Sequence, residues 1–141
     1  MKWLPATDIT IDIAVDRVTF MDTDTEPLVW PPRVYLAVDS SRFKVLSVGT
    51  PPPLGTPAQA VELFESEGPP RGFSKLDCLA AFFMKGLKVV IDRHLFRVRP
   101  QVLVRGAETV SRSLGGYERD LLTHALRQAG AKEVQWPDDL S

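Results

Sequence analysis

From Asp8 to Ile13 polar and apolar residues alternate, with Ile9, Ile11 and Ile13 on one side and Asp8, Thr10 and Asp12 on the other. A period of two in β-branched residues predicts a strand over 8–14 with one buried face. Val18 to Met21 is a second apolar run, placed to fold back on the first as a hairpin. "RVYLAV" (33–38) predicts a third strand and "FKVLSVG" (43–49) a fourth, joined through Asp39, Ser40 and Ser41. "TPPPLGTP" cannot be a central strand, because three consecutive prolines donate no ladder bonds. "AQAVELFESEG" reads as a short helix or irregular cover, and "GPPRG" then resets the chain.

Beyond Ser74 the period changes from two to between three and four. Leu76, Leu79, Ala80, Phe83, Leu87 and Val90 form one apolar stripe of a long helix, and Ser74 with Asp77 has capping-box spacing at its start. "QVLV" (101–104) is a short apolar strand. "GYERDLLTHALRQAG" is a second helix, with Tyr117, Leu121, Leu122, Ala125, Leu126 and Ala129 as its face and Gly130 at the left-handed C′ position. "KEVQW" is a last strand, stopped by Pro137. Hairpins first and βαβ crossovers afterwards predict an α/β fold: a mixed sheet with helices packed on it.

A chain of 141 residues has room for one domain with a real core. A net charge of -1 supplies no overall field that would draw it to nucleic acid or anionic lipid, so any such attraction must be local. One cysteine, Cys78, permits no internal disulfide and points to a reducing, cytoplasmic setting. The start "MKWLPATD" breaks at Pro5 and reads as no secretory leader, and no run approaches the roughly 20 apolar residues that span a bilayer.

"RPQVLV" at 99–104 and "ERDLLTHALRQAGAKEV" at 118–134 resemble the first domain of the bacterial actin homologues of the MreB family. There an Arg-Pro-x-Val strand precedes a helix that opens on Glu-Arg and ends in Ala-Gly-Ala-Arg/Lys-Glu-Val. "GFSKLDCLAAFFMKGLKVV" is similar to that family's first long helix, and "PPRVYLAVDSSRFKVLSVG" to its third strand and the start of its small outer subdomain. The intervening loop "GAETVSRSLGG" is longer than is usual for the family. The resemblance implies an actin-like, ribonuclease-H-like core, with residues 1–141 forming a single half-domain and a Pro-rich small-subdomain-like insertion at about 39–72.

"ITIDIAVDRVTF" lies where that family has its first phosphate hairpin. The family follows the strand Asp with Gly-Thr-x-Asn-Thr; here Asp12 is followed by Ala14, Val15, Asp16, Arg17 and Val18 at the matching positions. A phosphate-gripping turn needs closely approaching N–H groups, glycine and hydroxyls. Those are replaced by a stiff Val15 and an anionic Asp16, with Arg17 the one compensating cation. The expectation is a degenerate hairpin, with no ATP, metal or other cofactor and no catalysis. The alternative of a metal-dependent nuclease or phosphate-transfer enzyme would draw on Asp12, Asp77, Asp138 and Asp139 as converging carboxylates. His94 and His124 lack partners at zinc spacing, Cys78 has no local base, and Ser111 and Ser113 lack a nucleophile-elbow context.

One further stretch carries candidate chemistry: "DRHLFRVRP" (92–100), where Leu95 and Phe96 are flanked by Arg93, Arg97 and Arg99. The resemblance implies an exposed apolar pair there that dips into the inner face of the membrane, each inserted side chain contributing about 2 kcal/mol and each nearby Arg about 1 kcal/mol. The competing reading places Leu95 and Phe96 in the core. The functional expectation is a non-catalytic cytoplasmic interaction or scaffold domain that self-associates or binds a protein partner. A peripheral membrane adaptor is a further alternative, and no nucleic acid is expected.

Overall fold

The computed structural model describes residues 7–22, 26–38, 44–65, 74–92 and 99–140. Strand β1 (Ile9–Ile13) pairs antiparallel with β2 (Val18–Met21), which pairs antiparallel with β3 (Leu28–Trp30). Three more strands, β4 (Arg33–Ala37), β5 (Val45–Val48) and β6 (Ala58–Glu62), form a separate antiparallel sheet in the order β5-β4-β6. Helix α1 (Lys75–Ile91) leads to β7 (Gln101–Arg105), and helix α2 (Glu118–Gln128) leads to β8 (Glu133–Gln135). β7 lies parallel to β1 and β8 parallel to β7, so the main sheet is mixed, in the order β3-β2-β1-β7-β8. The chain is a small α/β domain with two α-helices among the described residues.

Period two in β1 is realised as expected: Ile9, Ile11 and Ile13 are buried, and Val18, Phe20, Val102 and Val104 extend the same face across β2 and β7. The opposite face carries Thr10, Asp12, Thr19, Met21, Val29, Leu103 and Arg105. The strands joined by the helical crossovers, β3 to β7 through α1 and β7 to β8 through α2, are parallel and step in one direction across the sheet. Right-handed crossovers then put both helices on one side of the sheet. α1 and α2 pack against each other over the isoleucine face, and among the described residues no helix lies on the other.

Ser74 caps α1 as its spacing predicted: its hydroxyl accepts the Asp77 N–H at 3.0 Å. The buried face of α1 is wider than the predicted stripe, because it also takes in Cys78, Phe82 and Gly86. The helix meets both sheets and α2, so three sides of it are covered. Phe82 and Phe83 join Phe20 and Trp30 in an aromatic cluster with ring centroids 5.5 to 6.2 Å apart. Gly130, with φ +114°, occupies the C′ position beyond α2.

Three expectations need correction. The third and fourth strands read from 33–38 and 43–49 belong to the second sheet, as β4 and β5. The third strand of the main sheet is the short Leu28–Trp30, and the prolines at 31 and 32 separate it from β4. "AQAVE" is strand β6, paired with β4 from Arg33↔Glu62 to Ala37↔Ala58. The open edge of β4 overrides its weak helical tendency, and Arg33 closes the register by donating to Glu62. Tyr117 is not on the α2 face. It occupies the N-cap position, outside the helical stripe, and is 68% exposed. The Asp39–Ser41 connection and the "GPPRG" reset lie outside the described residues.

Gly86 gives the sharpest test of this packing. A Cβ there would sit 2.3 Å from the Phe20 ring, which is itself boxed in by Trp30, Phe82 and Phe83. Gly86→Ala gains up to about 1 kcal/mol of helix propensity, yet overpacking outweighs it and the net loss is on the order of 1–3 kcal/mol in chemical denaturation. A variant as stable as the parent contradicts the packing of α1 on β2.

Candidate functional site

The C-terminal ends of β1 and β7 lie side by side, and both chemistry-bearing stretches of the sequence meet there. Asp12, one residue before the end of β1, faces Arg105, the last residue of β7. The guanidinium engages both carboxylate oxygens: Nε donates to Oδ1 at 2.6 Å and Nη2 to Oδ2 at 2.7 Å. This two-pronged pair, on a half-exposed surface, uses the oxygens that a magnesium-bound water would need, and it raises the Arg105 pKa above its ordinary value. The hairpin beyond Asp12 closes on itself, with the Ala14 N–H donating to the Arg17 carbonyl at 2.9 Å. Val15, Asp16 and Arg17 point to solvent.

β7 ends in a tight turn against β1. Gly106 has φ +81°, and a Cβ on it would lie 2.3 Å from the Ile13 carbonyl oxygen. That position therefore requires glycine. Thr109 fastens the turn, its hydroxyl lying 2.7 Å from the Gly106 carbonyl and 3.2 Å from that of Ile13. Beside it, between the ends of β7 and β8 and the start of α2, lies a cleft of about 400 Å³. Arg119 lies over the Trp136 ring, 5.0 Å from its centroid, and donates to Asp138 at 2.5 Å. Glu118 accepts from the Ser111 hydroxyl at 3.0 Å, and Glu108 lines the same cleft. The two arginines of the cleft, Arg105 and Arg119, are each matched by a carboxylate, and Glu108 and Glu118 add negative charge. Such a balance disfavours an anionic ligand.

The other sequence candidates separate. Asp77 sits in the first turn of α1, Asp138 pairs with Arg119, and the Asp139 side chain lies outside the described residues. No group of three metal-ligating side chains forms among the described residues. Ser113 donates to the Phe64 carbonyl, and Lys75 to the carbonyls of Glu65 and Ser113, so this pair ties the start of α1 to its flanking loops. Cys78 is buried. Desolvation, aided by Asp77, pushes its thiol up to about 11, so it is protonated and inert at neutral pH. Arg99 donates to the Gly130 and Ala131 carbonyls in the loop that follows α2, so it serves the fold. Arg93, His94, Leu95, Phe96 and Arg97 lie outside the described residues. His124 is exposed on α2. No described helix is long and apolar enough to cross a membrane.

Two elements of the site escaped sequence reading: Arg105 as the partner of Asp12, and the stack of Arg119 on Trp136. Alternation along β7 would have placed residue 105 on the Asp12 face, but only once β1 and β7 were known to be neighbours. No protein-family model matches the chain, and no match was found among curated proteins.

Two outcomes follow from the charges. Iodoacetamide at pH 8 leaves Cys78 unmodified in the native protein and alkylates it once denaturant unfolds the chain; rapid native labelling contradicts the buried thiol. Its folded pKa of about 11 lies above the unfolded value of roughly 8.5, so its stabilising contribution is complete below pH 8.5 and is lost as pH rises towards 11. Arg105→Ala changes stability by less than about 1 kcal/mol, since the pair with Asp12 is half-exposed, and the change shrinks in high salt. A loss of several kcal/mol would mean that the pair is far better shielded.

Proposed function

We propose that this chain is a non-catalytic protein-interaction domain on a ribonuclease-H-like core, of the kind that forms the first domain of MreB-like proteins. Support for the core comes from the sheet order, in which β2 alone runs against the other four strands, and from the position of the second sheet between β3 and α1 in the chain. The observation that carries the non-catalytic reading is the Asp12–Arg105 pair. The strand-end carboxylate that would organise a metal is neutralised on both oxygens by a neighbouring strand. A catalytic carboxylate would instead be free or shared with another carboxylate. The hairpin lacks glycine and hydroxyls and engages its first N–H internally.

The interaction surface in this reading is the face of the main sheet opposite the helices. Its central charge pair is matched in place, the adjoining Thr10, Thr19, Met21, Val29 and Leu103 are uncharged, with Val29 54% exposed, and Asp8 and Asp22 add acidic charge beside Thr10 and Met21. An uncharged centre with charge kept to its border is the composition of an interface. A cytoplasmic scaffold that meets its partner, or a second copy, through this face is the function that fits.

Two measurements test it. Millimolar ATP with magnesium leaves the melting temperature unchanged, whereas a ligand present at 100 times its Kd would add about 2.7 kcal/mol. A rise that Asp12→Ala abolishes overturns the non-catalytic reading. In sedimentation the mass rises reversibly with concentration, and Val29→Asp removes the rise without changing the fold. A strict monomer at the highest attainable concentration contradicts self-association through this face.

A further inference from the structure

The two sheets end in four edge strands, and three of these are blunted. β3 has three residues and lies between Pro27 and Pro31. β8 also has three residues, opens on the exposed Glu133 and runs into Pro137. β5 carries an extra residue, Leu46, between the Tyr35↔Ser47 and Leu36↔Val45 pairs, which interrupts its ladder. Shortness, proline, charge and bulges are the devices by which edge strands avoid pairing with other chains. β6 runs for five residues, Ala58 to Glu62, without proline, glycine or any break in its register with β4. Its one charge, Glu62 at the far end, is held by Arg33 of β4, and its middle residues Gln59 and Ala60 are exposed.

Main-chain bonds fix which groups this edge offers. The Leu63 N–H donates to the Pro32 carbonyl at 2.9 Å, so the odd-numbered residues of β6 turn their N–H and C=O groups towards β4. On β4, Arg33 and Ala37 bond to the other side: the Arg33 carbonyl accepts from the Gly49 N–H at 2.9 Å, and the Ala37 N–H donates to the Lys44 carbonyl at 3.0 Å. Ala58, Ala60 and Glu62 therefore turn their main-chain groups outward, where no strand lies among the described residues. Donors and acceptors spaced at every second residue along a line are matched by another extended chain.

We propose that this edge pairs with β6 of a second copy, antiparallel, about a two-fold axis through Ala60. In that register Ala60 lies opposite the partner's Ala60, and Ala58 opposite the partner's Glu62. Each opposed pair exchanges two main-chain hydrogen bonds, so every outward group of both strands is used. No like charges meet, because each Glu62 faces an alanine and keeps its own Arg33. Side chains at 58, 60 and 62 share the face of Tyr35, away from the core, and the opposed alanines are small enough for the strands to close up. On the other face α1 packs over β4 and β5, so the helix stands clear of the β6 edge. One short strand from each copy covers well under the roughly 1,200 Å² of a stable interface, so the contact is transient and is read by trapping it rather than by mass. It is favoured wherever copies are already concentrated, as on a shared partner.

The test is oxidation with copper phenanthroline in the Val29→Asp background, where the sheet face no longer associates, so either contact can fail without the other. Opposed residues of a hydrogen-bonded antiparallel pair have Cα atoms about 5.5 Å apart, within disulfide reach. Ala60→Cys therefore gives a covalent dimer at least about tenfold faster than Asp16→Cys, whose thiol is exposed on the β1–β2 hairpin; Cys78 is buried and takes no part. Ala58→Cys and Glu62→Cys do not cross-link alone, because identical residues lie roughly 13 Å apart in this register. Mixed in equal amounts, they cross-link to each other. Ala60→Cys keeps the melting temperature of its background, since the edge is free in the monomer; a clear drop would mean that the edge is already covered and would overturn the proposal. Cross-linking of Ala60→Cys no faster than Asp16→Cys overturns it, as does a mixture of Ala58→Cys and Glu62→Cys that yields no dimer. Cross-linking of Ala58→Cys alone at the Ala60→Cys rate also overturns it, since the strands would then meet in another register.

Discussion

The handedness of strand connections governs this molecule. Once β3, β7 and β8 run parallel and step in one direction across the sheet, right-handed crossovers through α1 and α2 leave no choice about where the helices go: both cover the same face. Everything buried follows from that. Ile9, Ile11 and Ile13 lie in the core beneath the helices, Phe20 reaches across to Gly86 and the phenylalanines of α1, and α2 packs beside α1 through Leu122, Ala125 and Leu126. The opposite face, without a helix among the described residues, carries threonines, three apolar side chains and one matched ion pair at its centre, with Asp8, Gln101 and Gln135 beside them.

The same arrangement brings the ends of β1 and β7 together and so decides the chemistry there. A carboxylate at the end of a strand beside an open turn is how many sites begin. Here the neighbouring strand supplies Arg105 at the position that faces Asp12, and a fork of two short hydrogen bonds results. Gly106 keeps the following turn close against Ile13, and the cleft beyond it holds its second arginine against Asp138 and Trp136. Positive charge at this end of the sheet is bound internally, and the site is left with a surplus of carboxylates.

Elements with their own periodicity were legible in the sequence. β1, α1 and α2 each carry enough repeats of two or of three and four to declare themselves, β7 and β8 stand out as short apolar runs placed by the helices and by Pro137, and Ser74 and Gly130 mark helix ends through local chemistry. Legibility failed where pairing is non-local. β3 has three residues between Pro27 and Pro31, too few for a pattern, and exists because β2 offers an edge. β6 reads as weakly helical and is a strand because β4 holds it. Asp12 was recognisable as a strand-end carboxylate, but its state depended on Arg105, 93 positions away, and so on a register that no local pattern reveals. In the same way the prolines at 51–53 excluded a strand without showing that Leu54 would be held fully in solvent.

Accessibility of the helix-free face is the most direct measurement of this account. Thr19→Cys and Val29→Cys place thiols on β2 and β3 of that face, and native Cys78, buried and protonated, contributes no background. Both engineered thiols are expected to react rapidly with iodoacetamide in dilute protein and to become protected as concentration rises and copies associate. Protection of both in dilute protein, at a rate matching global unfolding, would show the face already covered within the monomer and would contradict it.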